Sequence, residues 1–367
     1  MRQTSTFKQT ATRILPGVFI IIGIIAAAAP APQAKLRQTG KTLVLRPVAV
    51  RNVDYASDGR CFAIPNFITA GSVALFEVTE QGEVVNTPAR YSEKDFVRSA
   101  GLFYLRKKKP SDPYMAFVSL PELLTGYSVD FSDEGLLLAV AGGGVVTIHD
   151  GKNNWEKIRT ISVGSSITRA VFSPDGSRLA VISDGKLHIF TIPQYALDFT
   201  VEPSSGHRFC DVAFSRDNAR CALFEFRPVM LDFGGRIRIF YTKDGSHDRD
   251  LPWFDPRPAS EPGERLPLLS FSPGDSLLAV SLPATLTGKV LLMKSNDGTV
   301  VKDFKGFCHA FSPDGTLFVA QNSVYSMQDW SSKGKLPNST IACCFSPTQR
   351  VIIAVTRDAV RRFSIEE

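Results

Sequence analysis

The chain has 367 residues, of which 44% are hydrophobic and 21% are charged, with a mean hydropathy of +0.00. This balance is too apolar for a disordered chain and too polar for a protein with many membrane spans. The formal charge of +6 does not indicate nucleic-acid binding, because six of the 42 basic residues lie within residues 1–41, which hold no acid. The other 36 basic residues balance 36 acidic residues, so we expect no nucleic-acid partner.

The N-terminal segment has the layout of an export signal. Residues 1–13 are basic, residues 14–29 are mostly apolar, and small residues follow. This order predicts that residues 1–34 are a signal peptide or an N-terminal membrane anchor, with a membrane tether through residues 14–29 as the second option. Residues 35–41 then form a basic linker. We expect a secreted, extracytoplasmic or anchored protein, and mitochondrial targeting is the alternative.

The rest of the chain, residues 42–367, repeats a short turn motif. Phe-Ser followed by turn-forming residues begins at Phe131, Phe172, Phe214, Phe271, Phe311 and Phe345, and Tyr55 begins a similar segment. The spacings from Phe131 onward are 41, 42, 57, 40 and 34 residues. A large apolar residue and then a small or β-branched one stand seven and eight residues after each aromatic, which predicts tightly packed neighbouring sheets.

One repeat predicts a four-stranded sheet. An apolar strand ends at Phe172, and Ser-Pro-Asp-Gly makes the turn, since Pro presets φ and Gly accepts φ > 0. Strands are predicted at Arg178–Ser183 and Lys186–Thr191 around the hairpin turn Asp184-Gly185, and a more polar fourth strand follows. A single sheet of this kind cannot bury both of its faces, so the repeats must pack against one another.

Two further features concern the class of repeat. Ile148-His149-Asp150 ends a third strand, and Gly206-His207 precedes a first strand. With the period and the turns, these residues resemble the WD-repeat family of β-propellers over roughly residues 42–367, as a degenerate member without the signature Trp. The resemblance implies an all-β fold: a closed β-propeller of seven or eight four-stranded WD-like blades.

The number of blades depends on residues 56–130. A degenerate copy that starts near Phe96 gives eight blades, whereas one expanded blade over 56–130 gives seven. The last copy ends after three strands, so we expect the N-terminal strand Thr42–Leu45 to supply its missing outer strand. That closure removes a sheet edge.

No motif indicates a catalytic, cofactor or metal site. The histidines have no metal-ligand spacing, and Gly142-Gly143-Gly144 lies between two strands, where it predicts a hairpin turn. The six cysteines are interpreted as buried small hydrophobes, or as holding a disulfide in which Cys308 pairs with Cys343 or Cys344.

The 57-residue unit after Phe214 is longer than the others. Its extra length falls at 227–235 and 252–267, two connections expected on the face opposite the Phe-Ser turns. Aromatic residues, Met and Arg are enriched in interface cores, so the candidate partner-binding residues are Met230, Leu231, Phe233, Trp253, Phe254 and Arg257. Local packing of residues 229–233 in a longer hairpin is the alternative.

The sequence therefore favours a non-enzymatic, monomeric propeller that binds a protein partner as a scaffold, without a cofactor. The alternative is a propeller enzyme or small-ligand-binding protein, lactonase-like or hydrolase-like, with its site at the channel mouth.

Overall fold

The computed structural model describes residues 35–44, 52–56, 59, 61–65, 72–77, 96–99, 102–105, 116–119, 128–133, 136–142, 144–153, 155–227, 235–252, 266–282, 288–356 and 359–366. The chain divides into two units, Met1–Gln33 and Ala34–Glu367. The first unit carries the predicted signal or anchor and lies outside the described residues. The regular structure of the described part is β-strand, apart from one 3-10 turn at Gly151–Asn153.

Thirty strands in the described ranges form seven antiparallel sheets. Sheet 1 contains β2 (Asp54–Tyr55), β3 (Cys61–Pro65), β4 (Ser72–Glu77), β5 (Phe96–Ser99), β6 (Leu102–Leu105) and β7 (Ala116–Ser119). Sheet 2 contains β8 (Ser128–Phe131), β9 (Leu137–Gly142), β10 (Val145–Asp150) and β11 (Glu156–Ser162). Sheet 3 contains β12 (Ile167–Phe172), β13 (Arg178–Ser183), β14 (Lys186–Thr191) and β15 (Ala196–Val201).

The remaining sheets follow the same four-stranded pattern. Sheet 4 contains β16 (Arg208–Phe214), β17 (Arg220–Phe226), β18 (Gly235–Tyr241) and β19 (His247–Asp250). Sheet 5 contains β20 (Leu268–Phe271), β21 (Leu277–Leu282), β22 (Lys289–Lys294) and β23 (Val300–Lys305). Sheet 6 contains β24 (His309–Phe311), β25 (Leu317–Ala320), β26 (Ser323–Ser326) and β27 (Ser332–Lys335). Sheet 7 contains β28 (Thr340–Phe345), β29 (Val351–Thr356), β30 (Ala359–Glu366) and β1 (Lys35–Val44).

The predicted all-β repeat is confirmed. The strands β13 and β14 have the predicted bounds, and Asp184 (φ 51°) and Gly185 (φ 81°) form the turn between them in the left-handed region. The outer strands are the most exposed ones: six of the seven residues of β11 are exposed, and Ile161 is buried. The arrangement is propeller-like, and in sheets 2–6 the outer strand is more exposed than the strands inside it.

Sheet 1 corrects the expectation of a separate copy near Phe96. Its strand order is β2-β3-β4-β7-β6-β5, so the described strands from Asp54 to Ser119 belong to one expanded sheet. The strand β7 pairs with β4 (Val73 opposite Val118) and takes the fourth position, and β6 and β5 add beyond it. Because Phe96 begins the outermost strand of this sheet, it does not start an eighth sheet within the described part of the chain.

Sheet 7 joins the two ends of the described chain. The strand β1 pairs antiparallel with β30, from Lys35 opposite Glu366 to Val44 opposite Ala359. The expected outer strand is therefore present, but it begins at Lys35, and the prediction of a linker over 35–41 is wrong. The eight-residue edge of β30 offers unpaired N–H and C=O groups that the longer strand satisfies.

The repeated turns are closed by their serine side chains. In the turn after Phe172, Arg178 N donates to Ser173 Oγ (2.9 Å), and Ser173 Oγ donates to Asp175 Oδ1 (2.6 Å). Sheets 4 and 6 repeat this arrangement with Ser215 and Ser312. The serine is buried in each case, so its hydroxyl satisfies backbone groups that water does not reach.

The large and small residues of the second strands pack against different neighbours. Leu179 lies in an apolar cluster with sheet 2, whereas Ala180 lies in a cluster with sheet 4. Sheet 4 repeats this with Cys221 toward sheet 3 and Ala222 toward sheet 5. Alternate strand residues point to opposite faces, so one two-residue column builds two interfaces.

The sheets contact one another in a cyclic succession. The first strands contact in the order β2, β8, β12, β16 and β20; β21 then contacts β24, β24 contacts β28, and β28 contacts β2. This succession places the seven inner strands around a common interior.

Candidate functional site

The inner strands carry acidic side chains that bind the backbone of the next sheet. Phe131 N donates to Asp54 Oδ2 (2.7 Å), and Phe172 N donates to Asp130 Oδ2 (2.7 Å). Each carboxyl group therefore satisfies a backbone N–H between two sheets, while its side chain stays partly exposed.

These acids belong to two sequence columns, one and three residues before each repeated aromatic. Residues two apart on a strand share a face, and here that face meets the following sheet. From sheet 1 to sheet 7 the pairs are Asn52 and Asp54, Ser128 and Asp130, Arg169 and Val171, Asp211 and Ala213, Leu268 and Ser270, Cys308 and Ala310, and Ala342 and Cys344. The ionisable carboxyl and guanidinium groups fall in sheets 1–4. These charged residues were not among the predicted site residues, although the sequence shows an Asp directly before Tyr55 and before Phe131.

Arg169 and Asp211 form a buried ion pair between sheets 3 and 4. Arg169 Nε lies 3.2 Å from Asp211 Oδ1, and the two side chains are 9% and 0% exposed. Leu269 N donates to Asp211 Oδ2 (2.6 Å), which extends the contact to sheet 5. Nε and Nη1 of Arg169 are buried and make no hydrogen bond. The guanidinium thus keeps unused donors in an environment where each is costly.

A cavity of about 420 Å³ lies between the inner strands. All seven sheets contribute to its lining, with Asp54, Asp130 and Arg169 on one side and Leu268, Ala310 and Ala342 on the other. Its rim is formed by the Phe-Ser turns, through Pro174, Arg216, Pro273, Pro313 and Pro347. A cavity of this size suits a small molecule or the end of a peptide.

Burial makes the carboxyl groups of this cavity weak acids. It raises the pKa of Asp54 to about 6, against the hydrogen bond from Phe131 N, which lowers it. Burial also raises the pKa of Asp130 well above its ordinary value, and the charge of Asp54 adds to this effect. In both groups burial is the largest cause, because it disfavours the ionised form of the carboxyl group.

The opposite side of the cavity holds a histidine and several thiols. His309 Nε2 and Nδ1 lie 2.8 Å from Ser270 Oγ and 2.6 Å from Ser281 Oγ, and burial lowers its pKa to about 3. Cys308, which directly precedes β24, donates its thiol to Gln321 O (3.7 Å), and the neighbouring Cys308 thiol and burial raise the pKa of Cys343 well above its ordinary value. All six cysteines are free thiols, and only Cys344 is not fully buried. The predicted core role of Cys221 is confirmed by its 1% exposure.

The six predicted partner-binding residues, Met230, Leu231, Phe233, Trp253, Phe254 and Arg257, lie outside the described residues, but the strands that flank them are described. Phe226 at the end of β17 pairs with Gly235 at the start of β18, and they enclose residues 227–234. Leu251 N donates to Ile237 O (2.8 Å), so the second long connection starts at the same end of sheet 4. This end is the one opposite the Phe-Ser turn that precedes β17.

A network of ion pairs links the strands of sheet 4 at the end where the two long connections start. Glu225, which is 0% exposed, accepts hydrogen bonds from Arg236 Nε (2.7 Å), Arg238 Nη1 (3.2 Å) and Ser204 N (2.6 Å). Both arginines also donate to Asp250, at 2.8 and 3.1 Å. The hydrogen bonds and charges of these partners hold the pKa of Glu225 below its ordinary value, although burial acts in the opposite direction.

The predicted hairpin at Gly142-Gly143-Gly144 is confirmed by the pairing of Gly142 with Val145. Within the described ranges, no three His, Cys, Asp or Glu side chains come together in a way that could hold a metal ion. None of the described residues belongs to a helix with the length and hydropathy needed to span a bilayer. In comparisons with known proteins, the chain matches no family model and no curated protein.

Proposed function

We propose that this chain is a closed seven-bladed, WD-repeat-like β-propeller that binds a protein partner as a scaffold, exported or tethered through residues 14–29. The partner surface is the pair of long connections of sheet 4. The observation that carries this proposal is their common origin: residues 227–234 and the segment after Leu251 leave neighbouring strands at one end of one sheet.

The Glu225 network supports this role through rigidity. Its ion pairs join β17, β18 and β19 at the strand ends from which both connections leave. A fixed base reduces the conformational entropy that the loops lose on binding, which favours affinity. The connections supply aromatic, Met and Arg side chains, the types that carry most binding energy in interfaces.

The test removes the aromatic side chains one at a time. A partner is first identified by proximity labelling in the native host, and the variants Trp253→Ala, Phe254→Ala and Phe233→Ala are then titrated with that purified partner. We expect each variant to weaken binding by at least about tenfold, as interface anchors do, without a change in unfolding midpoint. Leu197→Ala is the matched control, because Leu197 is 54% exposed on the outer strand β15. Unchanged affinity in all three loop variants contradicts the proposed surface.

A second candidate is a propeller enzyme or small-ligand-binding protein of the hydrolase or lactonase class. The observation that favours it is the cavity with Asp54 and Asp130, whose raised pKa values suit proton transfer. Hydrolysis of ester or lactone probes by the purified chain, lost in Asp130→Asn, would support this candidate. Elemental analysis of the same preparation tests for a bound metal.

A further inference from the structure

The cavity between the inner strands presents two chemically different walls. One wall holds Asp54, Asp130 and Arg169, from sheets 1–3, and the other holds Leu268 and Ala310, from sheets 5 and 6. A ligand that fills this space needs polar groups on one side and an apolar group on the other.

The polar wall has groups that the protein itself does not use. The Oδ2 atoms of Asp54 and Asp130 each accept a hydrogen bond from a backbone N–H. Both residues line the cavity and are partly exposed. Arg169 is only 8% exposed; its Nε faces Asp211 in the ion pair, and its Nη1 makes no hydrogen bond. The wall therefore offers carboxyl oxygens as acceptors and a guanidinium with unused donors.

The charge balance decides which ligand fits. Asp54 and Asp130 are the carboxyl groups of this wall, the guanidinium of Arg169 already pairs with Asp211, and Arg216 at the rim pairs with Asp133. Burial raises the pKa of both Asp54 and Asp130. A bound ammonium group favours the ionised forms of these carboxyl groups and is attracted by them, whereas a further carboxylate is repelled.

We propose that the cavity binds the free amino end of a peptide, with the α-ammonium group between Asp54 and Asp130 and the first carbonyl oxygen toward Arg169. At the amino end of a peptide, the ammonium and the first carbonyl group are both bonded to the same α-carbon, and this end carries a positive charge. A simple amine lacks the carbonyl acceptor, and a free amino acid adds a carboxylate. The first side chain of the peptide packs on Leu268 and Ala310, and the chain leaves past the prolines of the rim.

This site lies at the Phe-Ser turns, the end of the sheets opposite the two long connections of sheet 4. It therefore goes beyond the proposed scaffold role, and loop variants such as Trp253→Ala leave it unaffected. The two proposals can fail separately.

The first test compares four small probes by isothermal titration calorimetry with the full chain at neutral pH. L-leucinamide carries the ammonium, the carbonyl and an apolar side chain, and we expect it to bind. N-acetyl-L-leucinamide lacks the charge and is expected to give no saturable heat. Isopentylamine lacks the carbonyl, and L-leucine adds a carboxylate, so each is expected to bind at least about tenfold more weakly, which is a usual effect of one charge-assisted hydrogen bond.

The second test uses matched variants. Asp130→Asn keeps an oxygen that accepts from Phe172 N but cannot ionise when an ammonium group binds, and we expect it to lower the affinity for L-leucinamide at least about tenfold. Asp303→Asn is the control, because Asp303 lies on the outer strand β23 and pairs only with the exposed Lys289. Arg169→Gln is expected to reduce the preference for L-leucinamide over isopentylamine. If Arg169→Gln does not fold, the comparison of L-leucinamide with isopentylamine on the unaltered chain tests the contact of the carbonyl group instead.

Three results would overturn the proposal. They are the absence of L-leucinamide binding to the unaltered chain, equal binding of the N-acetylated probe, and unchanged binding in Asp130→Asn. Tighter binding of L-leucine than of L-leucinamide would identify a free amino acid as the ligand and would overturn the assignment to a peptide end.

Discussion

Arg216 Nη1 lies 3.4 Å from Asp133 Oδ1, an ion pair that joins the Phe-Ser turns of sheets 4 and 2 past the turn of sheet 3. Both residues hold the second position after the repeated aromatic, where sheets 3, 5, 6 and 7 carry proline. Arg216 also lines the cavity. The rim therefore combines an exposed ion pair with four prolines, whose φ angles are fixed.

We expect Arg216→Ala to widen the cavity mouth. Both partners are about half exposed, so the loss of the pair should change the free energy of unfolding by at most about 1 kcal/mol. The measurement is the rate at which N-ethylmaleimide alkylates Cys344, which lines the cavity. We expect the rate to rise several-fold, whereas Cys221, buried between sheets 3 and 4, stays unreactive. Equal rates for Cys344 in both proteins would show that the pair does not restrict access.

Removing one partner of the buried ion pair should destabilise the fold strongly. Asp211→Ala leaves the guanidinium of Arg169 buried without a counter-charge and removes the acceptor of Leu269 N, so we expect a loss of about 3–5 kcal/mol in urea unfolding. Asp211→Asn keeps an oxygen for Leu269 N and should lose less. A loss below about 1 kcal/mol for Asp211→Ala would contradict the inferred role of this pair.

The buried histidines predict a loss of stability in acid. Burial lowers the pKa of His149 to about 4 and that of His309 to about 3, whereas both titrate near 6.5 in the unfolded chain. Below pH 6.5 these histidines bind protons in the unfolded chain but stay neutral in the folded chain. The free energy of unfolding therefore falls from pH 6.5 toward pH 4. For His149 the expected loss is about 3 kcal/mol over this range.

Asp54 acts in the opposite direction, because its pKa of about 6 lies above the unfolded value of 3.8 and its protonation below pH 6 favours the folded chain. The histidine contribution is isolated with His149→Gln, in which unfolding free energy should depend less on pH between 6.5 and 4. His188→Gln is the comparison, since His188 on β14 is only partly buried and its ring lies 3.0 Å from Thr200 Oγ1. Burial also lowers the pKa of His188, so this variant should change the pH dependence in the same direction but less. A pH slope that is the same in His149→Gln and the unaltered chain would refute this assignment.

The strand β1 should be required for a stable sheet 7. A chain that starts at Lys35 keeps all ten residues of β1, whereas one that starts after Val44 exposes the edge of β30 and removes Leu36 from the cluster of sheets 6 and 7. We expect the first chain to be monomeric. The second should have a lower thermal midpoint and should aggregate, because a free edge pairs with other chains. Light scattering during thermal unfolding measures both effects, and identical behaviour of the two chains would count against the closure.

The period and the strand bounds were predictable because they depend on local chemistry. Ser-Pro-Asp-Gly after Phe172 fixes a turn, and alternating residues in β13 and β14 fix which side chains are buried. The column that contains Leu179 and Ala180 likewise predicted packing between sheets. The copy near Phe96 was misassigned because a short apolar strand has the same pattern whether it starts a new sheet or extends an existing one.

The site depended on tertiary structure. Successive members of the set Asp54, Asp130, Arg169 and Asp211 are about 40 to 80 residues apart along the chain, and these side chains come near one another only when successive inner strands meet. Sequence by itself determined the repeat, its turns and its core columns, since these follow from residue spacing within one unit. Only the packed sheets decided that β1 begins at Lys35 and that three carboxyl groups meet one guanidinium, because pairing and electrostatic energies depend on distances between units.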